Sequence, residues 1–227
     1  MSTMSWKLDE RATAGRENLD PDHVLRYDRI EDADAVAEAR LCAELGADVV
    51  VDIGAGTGQF ALAMAPMCTR VVAVDVSPVM LERLRAKAAD EPTIEVVEAG
   101  FLTYEHTGTP ADLVYSRWAL HHLPDFWKAI ALARVHRTLR PDGVFRLSDV
   151  VFDFDPSEAE ERIEAWCSTV PVDPDGWTRA DLEEHVRDEY STYTWLLEPM
   201  LERTGFEIEG AEHSTDGIFA KYVLRRR

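Results

Sequence analysis

Short β-branched runs recur along this chain, each followed by a stretch with helical spacing of its apolar residues. Asp48–Ile53 (DVVVDI) and Arg70–Asp75 (RVVAVD) are too short for helices and lack polar alternation. That pattern predicts strands buried on both faces of a parallel sheet. Thr93–Glu98, Ala111–Ser116 and Val144–Val151 predict three more strands. Between them, Gln59 to about Ala65 reads as a helix that Pro66 helps to end. Ser77 and Pro78 supply a cap and a first-turn proline for a helix through about Ala89. Asp125 caps a helix ending at Leu139, before the R-P-D-G stop of Arg140–Gly143. Strands alternating with helices at this spacing predict an α/β fold with a doubly wound, Rossmann-like, mostly parallel sheet.

The rhythm breaks after Val151. Residues from about Asp153 to Ser191 are acidic, include Trp166 and Trp177, and carry the P-V-D-P stretch Pro171–Pro174. They read as a helical insert. Thr192–Thr204 returns as a helix containing Pro199 and ending at Gly205. Phe206–Glu212 and Gly217–Leu224 then predict an antiparallel final hairpin, for seven strands in all. The expected organisation is a single domain: an N-terminal helical segment or lid (1–46), a core (47–151), the insert (152–191), and a closing helix and strands (192–227).

Composition narrows the chemistry. The 227 residues suffice for one sizeable core. A formal charge of −19 argues against a nucleic-acid partner, which normally meets a basic face. No apolar run approaches membrane-spanning length, and the charged N-terminal stretch does not read as a secretory signal. The expectation is a cytoplasmic protein, monomeric or homodimeric, with no membrane partner. Cys42, Cys68 and Cys167 stand far apart, which suggests neither a disulfide framework nor a zinc site. No metal is expected, since no tight His/Asp/Glu constellation recommends one, although Asp149 and Asp153 near the end of the fifth strand leave that open.

The candidate chemistry begins at D-I-G-A-G-T-G, Asp52 to Gly58. A P-loop needs a Lys-Ser or Lys-Thr after its glycines, and the dinucleotide fingerprint needs G-x-G-x-x-G; neither is present. With Asp75 ending the next strand, "VDVSPVML" after it and "ALHHLPD" after the fourth strand, the chain resembles the class I S-adenosylmethionine-dependent methyltransferases, particularly small bacterial ones. The resemblance runs from about Tyr27 to Val151 and is one of topology alone beyond that point.

It implies S-adenosylmethionine as cofactor. Asp52 would orient the ammonium end, and Gly54, Gly56, Thr57 and Gly58 form the loop, which needs close backbone approach. Asp75 would accept both ribose hydroxyls. Val76 and Met80 would line the adenine face, although Met80 reads equally as helix core. Gly100 stands where the family has an adenine-binding Asp, which leaves backbone groups and Phe101 to hold that ring. Ser116, Arg117 and Trp118 would run along the ribose and methionine. His121 and His122 would lie beside the methyl group as candidate bases, the alternative being that they cap and pack the loop. No N-P-P-[YF] signature is present, and the aromatics Phe152, Phe154, Trp166, Trp177, Tyr193 and Trp195 lean toward a small-molecule acceptor. A protein side chain as acceptor, or a non-catalytic binding module, stays open.

Overall fold

The computed structural model describes residues 6–15, 24, 34–170 and 177–227. Parts of the expected N-terminal lid, Tyr27 among them, and the P-V-D-P stretch lie outside the described residues. Val49–Ile53 (β1), Arg70–Asp75 (β2), Ile94–Glu98 (β3), Ala111–Arg117 (β4) and Leu139–Phe152 (β5) form a parallel sheet. Thr192–Tyr193 (β6) pairs parallel to β5. Phe206–His213 (β7) and Phe219–Arg226 (β8) complete the path as an antiparallel hairpin, giving the order β3-β2-β1-β4-β5-β8-β7.

The sheet is buried on both sides because its side chains alternate between two apolar layers. Val49, Val51 and Ile53 face one layer, with Leu132 and Val135 of Asp125–Thr138 and Leu197 and Leu201 of Thr194–Arg203. Val50 faces the other layer, with Ala39 and Cys42 of Ala35–Glu44, Phe60 and Met64 of Gln59–Met64, and Leu81 and Leu84 of Pro78–Lys87. Val50 and Val51 are fully buried. Each is worth about 1.5–3 kcal/mol of burial.

Three expected boundaries move. Pro124 occupies the cap position of the Asp125–Thr138 helix, and Asp125 is its first residue. The R-P-D-G stretch does not precede the fifth strand but interrupts it. Leu139 pairs with Ala111 and Val144 with Leu113, so Arg140–Gly143 bulge out between two points of the same ladder. Thr192 and Tyr193, expected in a helix, are extended because they pair with Val151 and Phe152.

The insert is helical where described, over Ala159–Cys167 and Arg179–Asp188, the second helix opened by a Thr178–Asp181 capping box. It docks through Trp166, which packs with Val150 and Ile218 and meets Phe219 edge-on at 5.8 Å. Because strand order reverses on either side of β1, the crevice of this sheet opens at the carboxyl ends of β1 and β4.

Candidate functional site

β1 carries Asp52 next to its last residue, Ile53, and runs straight into the glycine loop. Gly54 has φ 79°, and a Cβ there would overlap the Cβ of Ala119 in the turn after β4. Only glycine lets these two turns touch. The N–H groups of Gly54 and Ala55 donate to the Val74 carbonyl at 2.8 and 3.0 Å, which locks the loop to β2. Asp75 reinforces that lock. Its Oδ2 accepts from the Gly56 N–H and its Oδ1 from the Ser77 N–H, each at 2.8 Å. Burial raises the Asp75 carboxyl, and these N–H groups oppose the rise.

Asp52 lacks comparable support. Burial, and then the charge of Asp75, push its carboxyl up to about 8. Its Oδ2 has no hydrogen-bond partner among the described residues, and neither does the buried Tyr115 hydroxyl. A buried carboxylate oxygen left this way is costly unless a ligand meets it.

Two cavities flank the loop and share Gly54. The first is lined by Gly54, Gly56, Asp75, Val76, Gly100, Phe101, Trp118 and His122, together with Glu10 and Ala14 from the N-terminal segment. The second is lined by Asp52, Gly54, Thr57, Tyr115 and Arg117, with Ala35 and Phe60 among its walls. Most of the expected ligand-binding residues are thus gathered around one loop.

Three are not on either wall. Met80 is buried in the core with its N–H donating to Ser77 Oγ at 3.2 Å. The Ser116 hydroxyl is turned inward, donating to the Ile53 carbonyl at 2.7 Å. Gly58 packs against Leu84, where any side chain would collide. The insert aromatics expected to cover an acceptor are not among the residues lining the first cavity. Phe152, Phe154 and Trp166 instead pack with Val150 and Ile218 where the insert docks on the sheet, and Trp118 joins them, meeting Phe219 edge-on at 5.3 Å. Trp195 is exposed.

Glu10 is the residue that sequence reasoning missed. Its Oε1 accepts from the Leu102 N–H at 2.9 Å and its Oε2 from the Thr103 hydroxyl at 3.1 Å. A Cβ on Gly100 would overlap its carboxylate. The carboxylate that position 100 lacks therefore arrives from the N-terminal segment instead. Burial raises its carboxyl.

His121 and His122 sit on a 3-10 turn, Leu120–His122, immediately after β4. His121 is buried, with Nδ1 on Asp149 Oδ1 and Nε2 3.1 Å from Glu189 Oε2. Burial alone would lower its proton affinity, but the two carboxylates outweigh burial and push the imidazole up to about 10. The ring of His121 thus lies between Asp149 and Glu189, and His121 is not among the residues lining either cavity. His122 lines the first cavity, and burial with the neighbouring His121 charge lowers it to about 3. Glu189 is carried here by the insert. The Tyr190 N–H donates to the His121 carbonyl at 2.9 Å, and the buried Lys128 ammonium holds the Tyr190 carbonyl and Asp125. Among the described residues, no helix is long and apolar enough to cross a membrane.

Comparison with known proteins agrees with this architecture. Residues 50–143 match the family described as a methyltransferase domain. An uncharacterized methyltransferase of Geobacillus kaustophilus (strain HTA426) is 25% identical over 209 residues, covering 90% of this chain and 86% of that protein. Another, from Bacillus subtilis (strain 168), is 36% identical over 110 residues, covering 47% of this chain and 42% of its own length. The match to an uncharacterized methyltransferase of Oceanobacillus iheyensis likewise spans only 48% of that protein's length. The N-methyltransferase NodS from Bradyrhizobium japonicum WM9, solved in complex with S-adenosyl-L-homocysteine, shares the fold with a TM-score of 0.65 at 16% identity. That likeness covers 96% of this chain and 99% of NodS.

Proposed function

We propose that this chain, which carries a class I S-adenosylmethionine-dependent methyltransferase domain, methylates a small-molecule acceptor in the crevice between the glycine loop and the turn after β4. The observation that carries the reading is the Asp52 carboxylate, buried beside the loop with one oxygen unpartnered among the described residues. A cationic ligand group answers it. Asp52, Asp75 and Glu10 bring three carboxylates to the two cavities, which disfavours a phosphate and suits a ligand with an ammonium, ribose hydroxyls and an amino-purine.

S-adenosylmethionine meets that description and supplies, when bound, an electrophilic methyl group on a sulfonium sulfur. Asp52 and Arg117, both on the second cavity, would hold its ammonium and carboxylate. The lone pairs that Asp75 keeps after serving Gly56 and Ser77 accept the ribose hydroxyls. Val76 and Phe101 flank the adenine, and Glu10 over Gly100 accepts from its amino group. The chain's remaining task is positioning. Trp118 and His122 wall the first cavity where an acceptor reaches the methyl, and orientation there carries most of the rate of a displacement. Trp118 is held at φ 52°, a conformation costly for a bulky side chain, with its N–H donating to the Ser148 carbonyl at 3.0 Å.

The test is incubation of the protein with methyl-labelled S-adenosylmethionine and a metabolite extract, read by mass spectrometry. Label in a small molecule supports the reading. Cofactor binding with no labelled product in any fraction marks a binding module, and label only in protein moves the acceptor to a side chain.

A further inference from the structure

We propose that His121, His122 and Glu189 form a binding site for a divalent transition-metal ion of the zinc type, set in the wall of the first cavity. One nitrogen from each imidazole and a Glu189 oxygen lie within 4.8 Å of one another. Two ligands on one such ion, at metal–ligand lengths of about 2.0–2.2 Å, sit roughly 2.9–3.5 Å apart. His121 Nε2 and Glu189 Oε2 are 3.1 Å apart. His122 has to close by up to roughly 1.3–1.9 Å to complete the set.

Two imidazoles and one carboxylate are a donor set suited to zinc, iron, cobalt or nickel, and they leave coordination positions open. Here the open side is that of His122, which faces the cavity.

The surroundings are those of a ligand set. A metal-bound histidine normally gives its other ring N–H to a carboxylate, which orients the ring. Asp149 does this for His121, taking Nδ1 on one oxygen and the His121 backbone N–H on the other at 3.1 Å. Glu189 is oriented in turn by His185 Nδ1, whose Nε2 meets Ser191 Oγ at 2.8 Å. Asp149 and Glu189 bring two carboxylates into an interior where their side chains are 3% and 12% exposed. A dication between them would offset the charge of both. The pieces come from three places, the turn after β4, β5 and the end of the insert helix, and the Tyr190–His121 backbone bond fixes them together. The site stands on this geometry; only its facing an acceptor rests on the methyltransferase reading.

The experiment strips the protein with a chelator, titrates it with Co²⁺ while following d–d absorption, and measures zinc uptake by elemental analysis. S-adenosylhomocysteine binding and circular dichroism are recorded on the same samples. Stoichiometric uptake is expected, weakened at least tenfold in Glu189→Gln and in His122→Asn, and roughly 10–100-fold in Asp149→Asn, which removes only the orienting partner. Wild-type protein that takes up no metal while still binding S-adenosylhomocysteine overturns the site and leaves the cofactor reading intact. Unchanged uptake in folded Glu189→Gln and His122→Asn overturns the ligand assignment.

Discussion

Replacing Asp75 by Asn removes one oxygen and the charge while keeping the shape. In the native protein the two carboxylate oxygens accept from Gly56 and Ser77, each at 2.8 Å, so the side chain ties the glycine loop to the start of the helix Pro78–Lys87. Asn keeps an acceptor for one N–H and turns an NH₂ against the other. The loss is one charge-assisted hydrogen bond, about 1.5–3 kcal/mol, offset in part because the neutral amide is cheaper to bury. A net destabilisation of about 1–2 kcal/mol is expected, which for a domain of this size lowers Tm by roughly 2–8 °C. On the ligand side one of two ribose acceptors is lost, a further 1.5–3 kcal/mol or so, which weakens S-adenosylhomocysteine roughly tenfold to a hundredfold. The assay pairs thermal denaturation of the free protein with calorimetric titration well below the variant's Tm. A lowered Tm with wild-type affinity would reduce Asp75 to a loop tie and refute the ribose assignment. No change in either would refute the hydrogen-bond geometry itself.

Three other expectations follow from the same site. Gly54→Ala meets Ala119 and an unfavourable φ of 79°, so it is expected to cost about 2–4 kcal/mol and to abolish cofactor binding, and a denaturant titration matching wild type would contradict this. Glu10→Ala is expected to weaken S-adenosylhomocysteine about tenfold or more while binding of a ligand lacking the adenine amino group changes little; equal losses for both would show that Glu10 only anchors the N-terminal segment. Asp52 has a native carboxyl near 8 against 3.8 in an ordinary setting, so the native state keeps a proton that the unfolded state releases. Stability therefore falls as pH rises from about 4 to about 8, and Asp52→Asn flattens that stretch of the stability profile. A cationic ligand reverses the preference, so binding below about pH 8 releases protons, measurable by calorimetry in buffers of different ionisation enthalpy. No proton release would remove Asp52 from the ligand.

The fold was legible where side-chain pattern alone decides structure. Val49, Val50 and Val51 are apolar on both faces because the strand is covered on both faces, and that reads directly from the chain. β6 was not legible, since Thr192 and Tyr193 are extended only through pairing with Val151 and Phe152. The R-P-D-G stretch carries the residues of a stop, and nothing local announces that Leu139 resumes pairing with Ala111 on its far side. In the site, the loop glycines and Asp75 were legible because their work is local to one strand-turn-helix unit. Glu10 and Glu189 were not, because the first acts on Leu102, 92 positions away, and the second is delivered to His121 by the insert. The one available signal was Gly100, standing where the resemblance leads one to expect a carboxylate. The setting of His121 was not legible for a related reason: the two carboxylates that flank its ring, Asp149 and Glu189, come from β5 and from the insert.

The most direct test of the central claim is a structure of the protein determined with S-adenosylhomocysteine. One ligand is expected to lie across Gly54, with its ribose hydroxyls on Asp75, its adenine between Val76 and Phe101 with the amino group toward Glu10, and its ammonium on Asp52. A ligand bound away from the glycine loop, or lying there with Asp52 still unpartnered and its ribose turned from Asp75, would contradict it.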